Sequence, residues 1–75
     1  MNTKIHCYFS TFDSLFPAMK AFKEKAFDEG YRKSTEMPKN YLYFALRDNY
    51  FLGILMENAN SLHDSQFVIV SGEIV

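Results

Sequence analysis

Apolar positions are densest between Asn40 and Glu57, where the segment is rich in Tyr, Phe, Leu and Ile and is interrupted once by Asp48-Asn49. Aromatic side chains pack well on a pleated surface, and Asp and Asn tolerate turn conformations. A helix through the same segment would place Asp48 and Asn49 in its interior, with Gly53 one turn later. Asn and Gly are poor helix formers, so the pattern predicts a β-hairpin.

Two turn lengths are compatible with this hairpin, and they give different registers. A two-residue loop, Asp48-Asn49, sets Leu46 opposite Phe51, whereas a three-residue loop starting at Arg47 sets Leu46 opposite Tyr50 and needs a left-handed Asn49. We prefer the three-residue loop because it makes one continuous aliphatic face. That face carries Leu42, Phe44, Leu46, Leu52, Ile54 and Met56. The opposite face carries Tyr41, Tyr43, Ala45, Phe51, Gly53 and Leu55.

The second strand of the hairpin, Tyr50 to Met56, is apolar on both of its faces. A strand of this kind is normally central in its sheet and covered on both sides.

The first ten residues show a shorter alternating pattern, from Lys4 to Ser10. Period-two alternation is typical of a half-buried strand. Ile5, Cys7 and Phe9 would face the core, and Lys4, His6 and Tyr8 the solvent. Cys7 is accordingly interpreted as a small buried hydrophobic residue.

A helix is predicted next, ending near Glu29. Thr11, Asp13 and Ser14 are competent N-caps, and a Ser14 cap places Pro17 at the third helical position, where its missing N–H costs little. The apolar stripe consists of Leu15, Met19, Phe22 and Ala26, widened by Phe12, Phe16 and Phe27. Gly30 is well placed as a left-handed C-terminal cap.

The remaining chain is read as connections and one strand. Arg32 to Lys39 is a polar connection, Asn58 to Ser65 is a loop, and Gln66 to Val75 contains a strongly strand-forming FVIV core. The predicted fold is therefore a single α+β domain over residues 1–75 with the order β-α-β-β-β. One helix packs on a four-stranded, mainly antiparallel sheet. The β-α-β unit would be a right-handed crossover if its strands are parallel.

Length, charge and composition narrow the possible functions. The chain has 75 residues, 48% of them hydrophobic, which fits one compact domain and excludes disorder. A formal net charge of −1 argues against a general nucleic-acid binder. One cysteine cannot form an internal disulfide, and no apolar run approaches the roughly 20 residues that span a bilayer. We expect a cytoplasmic protein without a membrane partner.

No motif for catalysis, metal binding or cofactor binding is recognised. His6 and Cys7 are adjacent, so on a strand they point to opposite faces and do not form a nucleophile–base pair. His63-Asp64 has no further ligand at metal-binding spacing, and the glycines are isolated. The basic residues around Lys20 and Lys33 are interspersed with carboxylates and are interpreted as a solvated surface. The sequence therefore predicts a protein that is not an enzyme and holds no cofactor.

The candidate binding residues are on the aromatic side of the hairpin. They are Tyr41, Tyr43, Phe51 and Leu55, with Arg47 nearby. Tyr and Phe are favoured in the cores of protein interfaces, so we expect a protein–protein interaction domain, and a homodimer, that associates through this face. Alternatives are that connecting segments cover the face, or that its rings stack on single-stranded nucleic acid. Short chains of this composition often belong to phages or other mobile elements, where they inhibit a host protein.

Overall fold

The residues that the structure describes form one helix and one sheet. A computed structural model describes residues 1–58 and 65–75, so most of the loop predicted from Asn58 to Ser65 lies outside the described residues. The elements are β1 (Thr3–Phe12), α1 (Leu15–Glu29), β2 (Arg32–Lys33), β3 (Tyr41–Arg47), β4 (Tyr50–Asn58) and β5 (Ser65–Ile74). The predicted α+β class is confirmed.

The sheet has five strands in the order β1-β5-β4-β3-β2, and every neighbouring pair is antiparallel. The predicted count of four strands was wrong because Arg32 and Lys33 pair with Leu46 and Ala45 after the chain reverses at the end of the helix. Strand β4 is central, as its two-sided apolar pattern predicted. Strands β1 and β3 run in opposite directions and are not neighbours, so the crossover rule does not apply to them.

The helix begins and ends at residues suited to those positions. Ser14 has an extended backbone (φ −135°, ψ 155°), which places Pro17 at the third helical position, although the Ser14 side chain makes no capping hydrogen bond. Gly30 is left-handed (φ 77°) as predicted, and Tyr31 N–H donates to Ala26 O at 2.9 Å. These caps confirm the bounds expected from the sequence.

The inward stripe of α1 is narrower than predicted. Ala18, Phe22 and Ala26 are its buried residues, whereas Phe16 and Phe27 are exposed. At about 100° per residue, positions 16 and 27 point away from the direction shared by positions 18, 22 and 26. The two phenylalanines were therefore wrongly assigned to the core.

The hairpin adopts the shorter turn, so the preferred register was wrong. Arg47 pairs with Tyr50 and Leu46 with Phe51, around the two-residue loop. The left-handed residue is Asp48 (φ 55°), not Asn49. Two-residue hairpin loops match the right-handed twist of their strands, and Asp tolerates a positive φ.

A register shift at Leu42 changes the faces again near the start of β3. Tyr43 pairs with Ile54, but Tyr41 pairs with Leu55 because Leu42 is the extra residue between them. A bulge of this kind moves the following side chains to the other face. Tyr41 therefore lies on the side away from the helix as predicted, while Tyr43 lies on the helix side.

The sheet buries apolar side chains on both of its faces. On the helix side, Ala45, Leu52, Ile54 and Ile69 pack with Ala18, Phe22 and Ala26 of α1. On the opposite side, called here the helix-free face, the core consists of Tyr41, Phe44, Phe51, Val68 and Val70.

The rings at the centre of the helix-free face are buried. Phe51 is 0% and Phe44 1% exposed. The partly buried side chains packed around them, Ile5, Leu46, Leu55 and Ile74, come from four different strands. These rings are therefore enclosed within the monomer and belong to its core.

Strand β1 departs from strict alternation. Its pairing with β5 shifts at His6 and again at Phe9. Each shift reverses the facing of the residues that follow. Cys7 is consequently exposed, which corrects the expectation that it is buried.

Candidate docking surface on the helix

The five residues predicted to form the binding site do not share one surface. Tyr41, Phe51 and Leu55 belong to the core of the helix-free face. Tyr43 packs on the helix side, with its ring centroid 6.0 Å from that of Phe22. Arg47 is beside the end of the helix. The bulge at Leu42 and the two-residue turn place on different faces the residues that the predicted register, with its three-residue loop, puts on one face.

The aromatic rings on the helix-free face contact one another. Tyr41 meets Phe44 and Phe51 edge-on, at centroid distances of 5.2 and 5.8 Å, and Phe44 stacks on Phe51 at 5.0 Å. With Tyr41 only 8% and Phe51 0% exposed, neither ring offers a face on which a base could stack. The helix-free face is therefore part of the core of the protein.

The Tyr41 hydroxyl is an unusual feature of this core. It is buried and has no hydrogen-bond partner among the described residues. Burial raises the pKa of the Tyr41 phenol, the nearby Thr3 side chain partly opposes the rise, and Tyr8 adds to it. Thr3 is close enough to affect the pKa, but its geometry does not make a hydrogen bond, so we treat the hydroxyl as unpaired.

Arg47 links the hairpin to the helix. Its guanidinium Nη1 donates to the carbonyl oxygen of Glu29 and lies over the Tyr31 ring, with Cζ 4.6 Å from the ring centroid. A cation is favourable at the C-terminal end of a helix, where carbonyl groups lack intrahelical partners. Arg47 is thus engaged within the domain.

The solvent side of α1 carries a row of four residues, called here the helix stripe: Phe16, Lys20, Lys23 and Phe27. Their spacing of four, three and four places them within about 60° of one another around the helix. Phe16 is 78% and Phe27 86% exposed, the highest values among the large hydrophobic residues of the described chain. The two rings are about 16 Å apart along the helix axis.

The lysines of the helix stripe have no acidic partner in the described part of the chain. No carboxylate there lies within 4.0 Å of Lys20 or Lys23, whereas Lys25 on the next face pairs with Glu29 at 2.6 Å. Lys25 also lies 4.0 Å above the Phe9 ring. Glu24 and Asp28 follow on the row beside the stripe. The stripe is thus a basic and aromatic strip with an acidic border.

Two hollows adjoin the helix stripe. The larger, called here the helix groove, has a volume of about 300 Å³ and lies between α1 and the β2–β3 edge. It is lined by Phe22, Lys23, Ala26, Phe27, Tyr31, Lys33, Tyr43 and Ala45. The smaller, of about 210 Å³, is lined by Phe16, Met19, Lys20 and Lys23. Lys23 borders both hollows.

The sequence contained a signal for this surface. The 4-3-4 spacing of Phe16, Lys20, Lys23 and Phe27 was visible, but Phe16 and Phe27 were counted with the inward stripe because they are apolar. Tyr43 is predicted on the helix-free face, but it lies on the helix side and lines the helix groove. The candidate site therefore moves from the sheet to the helix.

The histidines, the cysteine and the carboxylates of the described chain are not clustered at this surface. In residues 1–58 and 65–75, no three His, Cys, Asp or Glu residues are grouped as metal ligands. His6 Nε2 is 2.7 Å from Glu73 Oε1, on the far edge of the sheet. His63 and Asp64 lie outside the described residues. The described helix is too short and too polar to cross a membrane.

Comparison of the chain with protein-family models, with curated proteins and with solved structures finds no match.

Proposed function

We propose that this protein is a small, non-enzymatic protein-interaction domain that binds an acidic segment of a partner protein along the helix stripe. The observation that carries the proposal is the exposure of Phe16 (78%) and Phe27 (86%) on one helix face with two lysines between them. The expectation of a protein-interaction domain is retained, and its surface is changed from the sheet to the helix.

The area of aromatic surface that the helix stripe leaves in water indicates a binding surface. A phenylalanine presents roughly 150–250 Å² when free, so the two rings leave on the order of 300 Å² of apolar surface in water. Single exposed apolar residues need no explanation, but two exposed rings on one helix face, at a spacing that one bound segment can cover, favour an interaction site. A 75-residue domain has a small hydrophobic core, and burying both rings would have stabilised it. Their exposure therefore favours a role in binding.

The charge of the helix stripe selects the chemistry of the partner. Lys20 and Lys23 lie between the two rings, so a segment that covers both rings meets two positive charges. Carboxylates on that segment would attract the lysines, increase the association rate and fix the register of binding. An acidic segment with two apolar anchors spaced about 16 Å apart fits this arrangement.

Self-association and inhibition of a host protein remain predictions. The helix-free face no longer supports a homodimer because its rings are buried, so sedimentation at micromolar concentration tests that prediction directly. The proposed surface is available for binding when the protein is a monomer.

A photo-crosslinking residue at position 16 or 27, expressed in the native host, would capture the partner and map its contact. We then expect Phe16→Ser/Phe27→Ser to weaken binding to the purified partner by at least about tenfold, as for hot-spot aromatics. A matched control is Tyr8→Ser/Tyr50→Ser, since these rings are 63% and 49% exposed and are not on the helix. Equal affinity of the Phe16/Phe27 variant and the wild type would contradict the proposal.

The charge is tested separately. Lys20→Glu/Lys23→Glu should weaken binding more than Lys20→Gln/Lys23→Gln, and the wild-type affinity should fall as salt is raised. If the affinity does not depend on salt, or if the crosslinked segment of the partner is basic, the proposal that the partner segment is acidic is wrong.

A further inference from the structure

The helix groove is an apolar hollow with a charged rim. Phe22, Ala26 and Ala45 are 5%, 8% and 1% exposed and form its base, and the Tyr43 ring packs on Phe22 at one side. Lys23 and Lys33 are exposed residues of its lining. Apolar lining with a few charged groups is the usual composition of a ligand-binding hollow.

The hollow exists because small side chains meet across it. Ala26 on the helix and Ala45 on β3 both end at Cβ, so neither fills the space between the helix and the β2–β3 edge. Protein interiors are normally packed without voids of this size. An open groove of about 300 Å³ at this position is thus an unfilled part of the helix–sheet contact.

The groove is continuous with the helix stripe. Lys23 and Phe27 belong to both, so a segment bound along the stripe passes the mouth of the groove. On the other side, Tyr31 lines the groove, and the guanidinium of Arg47 lies on its ring. Lys23 on the helix and Lys33 on β2 therefore place positive charge on two sides of an apolar hollow.

We propose that the helix groove receives one large apolar side chain, aromatic or leucine, from the acidic partner segment, with carboxylates beside that side chain meeting Lys23 and Lys33. This inference rests on the proposed function and adds the position of the central anchor. The volume is at the lower end of ligand pockets, roughly 300–1,000 Å³, which suits an inserted side chain. Anchors buried in such hollows usually contribute most of the binding energy.

Alanine methyl groups report on the groove directly. The full chain would be labelled with ¹³C at alanine methyls and titrated with a synthetic 12-residue peptide of Asp and Glu containing one central Trp. We expect the methyl resonances of Ala26 and Ala45 to shift and that of Ala18 to remain, because Ala18 is fully buried in the same helix and does not line the groove. Replacing Trp with Ala in the peptide should weaken binding at least about tenfold.

Charge variants test the rim. Lys33→Glu should weaken binding of the Trp peptide by about fivefold, whereas Lys4→Glu should leave it within about twofold. Both lysines are exposed, and Lys4 lies on β1 at the opposite edge of the sheet, about 19 Å from β2. Phe16→Ser reports on the helix stripe alone, since Phe16 does not line the groove.

The outcomes separate the two proposals. If Phe16→Ser weakens binding but the Ala26 and Ala45 methyls do not move and Lys33→Glu has no effect, the groove proposal is overturned and the proposed function stands. If the acidic peptide at millimolar concentration does not shift the groove methyls and Phe16→Ser leaves its binding unchanged, both are overturned. Methyl shifts at Ala26 and Ala45 that are lost with the Ala peptide support the groove.

Discussion

Substituting Gly53 with alanine tests the core of the helix-free face. Gly53 lies opposite Phe44 in the hairpin, and the ring of Tyr41 lies across it. A Cβ at position 53 would be 2.8 Å from Tyr41 Cδ2, 2.9 Å from Cε2 and 3.1 Å from the Tyr43 carbonyl oxygen. Gly53 has no positive φ, so the substitution introduces a steric conflict and no backbone strain.

The size of the effect follows from these distances. Carbon atoms in contact sit about 3.5–4.0 Å apart, so the Tyr41 ring must move by roughly 0.7–1 Å. Phe44 and Phe51 hold that ring edge-on at 5.2 and 5.8 Å and limit its movement. Overpacking of this kind costs about 1–3 kcal/mol, and replacing glycine returns about 0.4–1 kcal/mol through the unfolded chain. We expect the free energy of unfolding to fall by about 1–2 kcal/mol.

A double-mutant cycle assigns the effect to the ring. Urea unfolding followed by circular dichroism would be measured for Gly53→Ala, Tyr41→Val and the double variant. Val lacks the two ring carbons that approach position 53, so in that background Gly53→Ala should no longer destabilise the protein. The coupling should equal the overpacking cost of about 1–3 kcal/mol. Tyr43→Val is the matched control, since Tyr43 packs on the helix side and should combine additively within about 0.5 kcal/mol.

One result would refute this reasoning. In the register with the three-residue loop, Tyr43 lies directly opposite Gly53 on the same face. Coupling of Gly53→Ala to Tyr43→Val and not to Tyr41→Val would therefore show that the hairpin uses that register. A Gly53→Ala protein as stable as the wild type would show that the ring does not cover the glycine.

Three further predictions concern stability. Burial raises the pKa of Tyr41 above 10.0, so the unfolded chain ionises first and the free energy of unfolding falls as pH rises past about 10. Tyr41→Phe should reduce that fall and leave the free energy of unfolding at pH 8 unchanged or up to about 1 kcal/mol higher. If urea unfolding shows the same alkaline decline for Tyr41→Phe as for the wild type, this prediction is contradicted. Gly72→Ala would place Cβ 1.9 Å from the Lys4 carbonyl oxygen, so the free energy of unfolding should fall by more than about 3 kcal/mol. Near-wild-type stability in urea would show that β1 and β5 do not approach this closely at Gly72. Phe16 is exposed and Phe22 is buried, so Phe16→Ser should change the free energy of unfolding by less than about 0.5 kcal/mol, whereas Phe22→Ser should lower it by about 3 kcal/mol or more. Similar melting temperatures for the two variants would contradict the orientation of the helix.

Local features of the chain were sufficient to predict the elements. The alternation around Lys4, the apolar spacing from Leu15 to Ala26 and the Asp-Asn turn each specify backbone geometry over a few residues. Gly30 ends the helix where expected because glycine, which has no Cβ, adopts φ 77° at no steric cost. The two-residue strand β2 was missed because Arg32 and Lys33 have no strand pattern of their own and become a strand only by pairing with β3.

The candidate site was harder to predict because it depends on which face each residue occupies. A shift of one residue in pairing moves every side chain of a strand to the other face. The two-residue turn and the bulge at Leu42 together left Tyr41 on the helix-free face and moved Tyr43 to the helix groove. For the helix, apolar character suggested burial for Phe16 and Phe27, whereas their angular position decided exposure.

The sequence by itself determined the α+β class, the bounds of the helix, the presence of the hairpin and the central position of its second strand, since periodicity and caps act over short distances. Tertiary structure decided the register, the fifth strand and the burial of Phe44 and Phe51 on the helix-free face. It also decided which aromatic residues remain in water. Those outcomes depend on how elements pair and pack against one another, which the pattern within any one segment does not record.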